Sequence, residues 1–210
     1  MKVKIFLIGL FGIGSAAGLV TGCATNNSNK TPMAATFFNK ESYVIARGGV
    51  QSDAALASLD ELVTHPQADL RDQYNAFAAA VSTLESTTME IAGEKIALKK
   101  QAGGYFNEWD RENAAVQETT RSNLNVARRD EVAVRFARII QDYDEIGKAF
   151  RPYMSDLRDA QKVLANDLTG NGLSSIKDSA AQATADAVLV KASLDRLSAD
   201  FDDSGSALER

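Results

Sequence analysis

One cysteine, one histidine and three prolines in 210 residues exclude a good deal of chemistry. A lone cysteine cannot close an intramolecular disulfide. With a single histidine, a His-rich or Cys-rich metal site is excluded by arithmetic. Aromatics are only 7% of the chain, and strand-like runs of period two are nearly absent, so a sheet protein is a poor fit. A basic excess is missing too. The formal charge is −5, whereas a nucleic-acid binder needs a net basic face to release counterions, so no nucleic-acid partner is expected.

What the chain does have is a sustained apolar rhythm. From 132 to 164, apolar residues fall at Val132, Phe136, Ile139, Tyr143, Ile146, Phe150, Tyr153, Leu157, Ala160 and Leu164. The steps alternate four and three without a break. A strand would need period two and a lone surface helix would drift at 3.6, so a seven-residue repeat marks a helix facing another helix.

The same rhythm predicts four helices. Helix A covers 39–64, with Ile45, Gly49, Ser52, Leu56, Leu59 and Val63 in its seam. Gly48 and Gly49 each cost about 1 kcal/mol against alanine, which favours a bend over close packing. His65-Pro66 ends the helix, because the residue before proline avoids helical backbone, and Asp69 is a candidate N-cap for the next. Helix B covers 70–116, with Leu70, Phe77, Leu84, Ile91, Leu98 and Tyr105 recurring every seven residues. Its companion column (Tyr74, Val81, Thr88, Lys95, Ala102 and Trp109) turns polar in the middle, where Met89 and Ile96 could rotate the contact. Helix C covers 120–168. Pro152 should kink it without breaking it, since the heptad phase continues past the proline. A tight reversal at 169–172 leads to helix D, 173–201, and the tail at 202–210 should be disordered.

Short loops between long helices make neighbours antiparallel. The expected fold is therefore all-α: an elongated antiparallel helical bundle or coiled coil of four helices, the two central ones longest. Helices B and C outlast A and D, so their hairpin should project by about 25 Å at 1.5 Å per residue. Trp109, Arg121, Arg128 and Arg129 fall on that projection as a candidate contact tip for an acidic partner or lipid headgroups. The blander readings are core for Trp109 and a solvated face for the arginines.

The N-terminus carries an address. Lys2 and Lys4 precede an apolar run that ends in Val20, Thr21, Gly22 and Cys23, the pattern of a signal peptide over 1–22. Those four residues resemble the bacterial lipobox, which implies acylation of Cys23 as the first mature residue. Two or more acyl chains give stable anchoring where one does not. Ala24 rather than aspartate after the cysteine resembles the outer-membrane form of that signal. Residues 23–36 are too polar to fold and read as a flexible tether, leaving 37–201 for the bundle.

Near the end of helix B, Tyr105-Phe106-Asn107-Glu108-Trp109-Asp110-Arg111-Glu112 resembles an F-x-E-W-x-x-E segment of an uncharacterised bacterial family, domain of unknown function 2959. Pro152-Tyr153-Met154, Arg158-Asp159 and Asn166-Asp167-Leu168 are similar to its later motifs, with Asp167 interrupting an asparagine-leucine pair. Gly48-Gly49 departs from the family by replacing a helical stretch. The resemblance spans about 42–201 and implies a long helical hairpin behind an N-terminal signal, with no activity attached.

No residue invites nomination as catalytic, cofactor-binding or metal-ligating. His65 sits beside a helix-ending proline, and neither a Gly-x-x-x-x-Gly-Lys phosphate loop nor a Gly-x-Ser-x-Gly elbow occurs. The expectation is a non-enzymatic, cofactor-free lipoprotein on the periplasmic face of the cell envelope, in the outer membrane. It would meet the membrane through Cys23 and a protein partner through its helices, with homo-oligomerisation left open. The alternative is a bundle that shelters a lipid or small apolar ligand in its seam.

Overall fold

The structure, a computed structural model, describes residues 30–115 and 119–208. Val20, Thr21, Gly22 and Cys23 lie outside the described residues, as does the side chain of Arg121. Every described element is a helix: α1 (Lys30–Thr64), α2 (Arg71–Ala114), α3 (Thr119–Asn166), α4 (Gly170–Ser175) and α5 (Lys177–Leu208). The chain is all-α, and α2 and α3 are the longest, with 44 and 48 residues. None of the described helices is long and apolar enough to cross a membrane.

The four long helices form a ring in which α1 packs on α2 and α5, and α3 packs on α2 and α5. Cross-links run antiparallel: Arg47 of α1 pairs with Glu90 of α2, while Lys95 and Glu85 of α2 pair with Asp144 and Arg158 of α3. The interior is made of the heptad residues. Ile139, Ile146, Tyr153, Leu157, Ala160 and Leu164 of α3 are at most 2% exposed. Pro152 sits on the exposed face of a helix that runs on through it, because the buried residues on either side keep their phase. The Tyr153 hydroxyl crosses the core and donates to the Ser52 carbonyl of α1 at 2.8 Å.

Several expectations need correction. Five helices replace four, because helix D is divided at Ile176 into a short α4 and a long α5. The reversal is tighter than 169–172: Thr169 caps α4 by accepting from the Asn171 amide at 3.2 Å, so Asn171 and Gly172 are already helical. A Cβ on Gly172 would stand 1.8 Å from the Asp167 carbonyl oxygen, so only glycine lets α4 fold back against the end of α3.

The tail is not disordered through 208. Phe201 and Ser204 are buried, and Asp203 pairs with Arg135 of α3, which carries α5 on to Leu208. At the other terminus α1 is helical from Lys30, so residues 30–36 belong to a helix rather than a tether. Both extensions shorten the projection. With Asp203 level with Arg135, the end of α5 lies near Asp130, leaving about 16 Å of α3 beyond it rather than 25 Å.

In α1 the seam runs through Ile45, Gly48, Ser52, Ala55, Leu59 and Leu62, with Gly49, Leu56 and Val63 only half-buried beside it. The reason is that α1 faces two helices. A Cβ on Gly48 would come 2.9 Å from Ile91 of α2 and 3.6 Å from Leu194 of α5, so this glycine serves close packing rather than a bend.

The loop between α1 and α2 is closed from within. Gln73 is buried, and its amide donates to the carbonyls of His65 (3.0 Å) and Glu61 (3.3 Å) while accepting from the Gln67 amide (2.9 Å). That satisfies a turn whose backbone would otherwise lack partners. Leu70 takes the N-cap position, and Asp69 accepts from the Arg71 amide at 3.1 Å from one residue earlier. The Arg71 guanidinium beside Asp69 holds its carboxyl down at about 2.

Candidate contact site and groove

The hairpin end of the bundle is built from aromatic residues brought together by the heptads of α2 and α3. Tyr105 meets Phe106 and Trp109 edge-on, at 5.5 and 5.4 Å between ring centres, and Phe106 meets Phe136 of α3 at 5.6 Å. All four are half-buried. The edge-to-face arrangement is the one that ring quadrupoles favour. Trp109 is therefore part of the packing that joins the two helices.

Arg129 locks the same cluster from α3. Its guanidinium lies 5.3 Å from the Phe106 ring centre and pairs with Asp110 of α2 at 2.9 Å. So the structure brings Trp109 and Arg129 into one cluster. Arg128 is exposed beside it, and its charge acts on Tyr105, whose hydroxyl is pushed up chiefly by burial. Leu124 and Val126, nearer the turn, are 68% and 42% exposed. His65 stays in the exposed α1–α2 loop, at hydrogen-bond distance from Thr64 (2.9 Å) and 3.4 Å from Glu61.

A second feature lies midway along α2 and α3, where the companion column of α2 turns polar. Met89 and Ile96 do not rotate into the contact; they are 64% and 70% exposed. With Thr88, Ala92 and Lys95 on one side and Gly147 on the other, the two helices leave a groove of about 440 Å³. Its floor includes Ile91, Ile146, Phe150 and Met154. Its rim carries Lys95, Lys148, Arg151 and Arg158 against a single carboxylate, Asp144.

Three of those cations are paired, Lys95 with Asp144, Lys148 with Glu145 and Arg158 with Glu85. The Lys95 ammonium, hydrogen-bonded to Asp144, lowers that carboxyl below its usual range. Arg151 makes no ion pair among the described residues. In a chain of net charge −5, this is a cationic rim over an apolar floor. Lys95 and Thr88 break the apolar column in the sequence, which is the signal that could have located the groove. Gly147, on α3, carried no such sign.

The ring of four long antiparallel helices defines the class, an all-α bundle. Within that class the chain belongs to the family described as Protein of unknown function (DUF2959), whose sequence profile matches residues 40–204. That span runs from α1 nearly to the end of α5, so the family is defined by the whole bundle and not by the Trp109 segment alone. Comparison with curated proteins and with solved structures returned no match.

Proposed function

We propose that this is a lipoprotein of the bacterial cell envelope, held by acylated Cys23 on the periplasmic face of the outer membrane and acting by contact rather than catalysis. The observation that carries the reading is the chain's only cysteine, placed directly after Val20, Thr21 and Gly22 at the end of an apolar leader. An elongated coiled-coil bundle suits such a role, since rods of about 70 Å can hold a binding surface well away from the anchor. The first turns of α3, beyond the Trp109–Arg129 cluster, are the contact region, offering exposed Leu124 and Val126 with Arg128 close by.

The test begins with Cys23→Ser in cells fed a labelled fatty acid. Label should be lost from the protein, and the protein should leave the membrane fraction; unchanged partitioning overturns the anchor. Crosslinking in cells from position 124 then reads the contact, and capture of nothing but the chain itself removes the tip from consideration.

A second reading is favoured by the groove between α2 and α3. Its apolar floor and cationic rim are complementary to a single-chain amphiphile with an anionic head, seated beside Arg151. A Cβ on Gly147 meets nothing within 4 Å, so Gly147→Leu should fill the groove while leaving the fold intact. Native mass spectrometry after gentle extraction should find a lipid on the wild type and none on that variant. A bare wild type, or equal loading of both, sinks this reading.

A further inference from the structure

The interface between α3 and α5 holds a pattern that a bundle core ordinarily avoids. Asp142 of α3 is 5% exposed and Asp186 of α5 is 6% exposed. Each keeps one carboxylate oxygen, Oδ2 in both cases, buried without a hydrogen-bond partner. Across the seam Asp142 lies within electrostatic reach of Asp200, and Asp186 within reach of Asp156. Asp142 and Asp156 are two heptads apart in α3, and Asp186 and Asp200 are two heptads apart in α5. In an antiparallel pair that spacing stacks one carboxylate pair above the other on the same side of the seam.

A buried carboxylate oxygen with no donor beside it is costly while ionised, and a second carboxylate across the seam offers no donor unless one of the two is protonated. Their mutual repulsion in a dry seam gives the same answer. Among the described residues, no three side chains of metal-ligating type gather, so each pair offers two carboxylates and nothing to complete a cation shell. The ligand that fits is a proton.

We propose that the buried acid pairs Asp142–Asp200 and Asp156–Asp186 each take up a proton in mildly acidic surroundings, which tightens the α3–α5 seam, and release it towards neutrality, which loosens it.

Among the described residues, the charged groups facing Asp142 are Asp200 and Arg196 from α5 and Arg138 from its own helix, and α2 contributes none. Burial first, and Asp200 second, raise the Asp142 carboxyl from 3.8 to about 6, against the lowering pull of the two arginines. Arg138 reaches Asp200 at 3.6 Å, which favours Asp142 as the partner that keeps the proton. In the second pair, burial and then Asp186 and Asp159 raise Asp156 above the usual carboxylate range, while Gln182 donates to Asp186 at 3.2 Å.

The sign follows from linkage. A carboxyl that holds its proton more tightly when folded adds stability that is fully present below 3.8. That stability is lost as pH climbs through about 6. The depressed carboxyls, Asp69 and Asp144, act in the opposite direction, and only as pH falls below the ordinary carboxylate value. The two windows do not overlap. The inference rests on the α3–α5 geometry and is independent of the anchor and of the groove.

The test is the urea midpoint of the soluble bundle between about pH 4.5 and pH 7.5. For the wild type the midpoint should fall as pH rises through this range. Asp142→Asn combined with Asp186→Asn keeps the shapes and removes the repulsion, so it should raise the midpoint at the neutral end and flatten the profile. A wild-type profile that is flat or rising overturns the proposal, as does a double variant that gains nothing and keeps the slope. Should the variant fail to fold, carbon NMR of the wild-type Asp142 carboxyl decides. Titration near 6 supports the retained proton, and titration in the ordinary range near 4 refutes it.

Discussion

The two ends of the bundle are written in the same heptads and turn out differently. Where α1 turns into α2 and α3 into α4, Leu62, Phe77, Leu164 and Ile176 are at most 1% exposed. At the α2–α3 turn, Tyr105, Phe106, Trp109 and Phe136 stay half-buried, supported by the Arg129–Asp110 pair at the rim. The difference is the number of helices around the seam. Near Leu164 the ring of four is complete. Towards the end of α5 at Leu208 the hairpin loses the packing of a neighbour, and aromatic rings with charged stems take over from aliphatic core.

The most severe way to probe that contrast is truncation at each end. Leu164→Ala should cost about 2–5 kcal/mol in stability, as expected for a fully buried leucine, while Leu124→Ala, exposed in the first turns of α3, should stay within about 0.5 kcal/mol. Equal losses would mean that the hairpin end is as firmly packed as the other. Gly172→Ala should come next. It drives a methyl into the Asp167 carbonyl and should destabilise by about 1–3 kcal/mol, with the loss seen first in protection of the α4 amides. A neutral result would mean the turn relaxes freely. The subtlest effect is local opening of the hairpin end. As the only tryptophan, Trp109 reports on that region alone, so its fluorescence should begin to change at lower urea than the helical circular dichroism signal. Coincident transitions would make the two ends a single cooperative unit.

Much of this architecture was legible before the fold. Every seam residue named between Val132 and Leu164 is buried or half-buried, and the α2 and α3 boundaries fall within a few residues of their predicted places. The α2 companion column turns polar in its middle, and the groove lies there. What escaped shares one cause. The run of α5 to Leu208, the packing at Gly48 and the nearness of Asp142 to Asp200 all depend on what lies opposite. Glycine and aspartate read locally as helix-weakening residues. Gly48 lies between Ile91 and Leu194, and Asp142 is buried against α5. For the acid pairs the signal was present as four aspartates at two-heptad spacing, but a matching pair becomes a pair only when the helices are set in register.

By itself, the sequence determined that these segments are helices and which stripe of each turns inward, because a repeat of seven can be met in no other backbone geometry. Only the tertiary structure decided how many neighbours each stripe would have. That number sets whether a side chain is sealed in the core, left half-wet beside an arginine, or buried as an acid without a partner, since desolvation depends on every surface that closes over a group and not on its own helix alone.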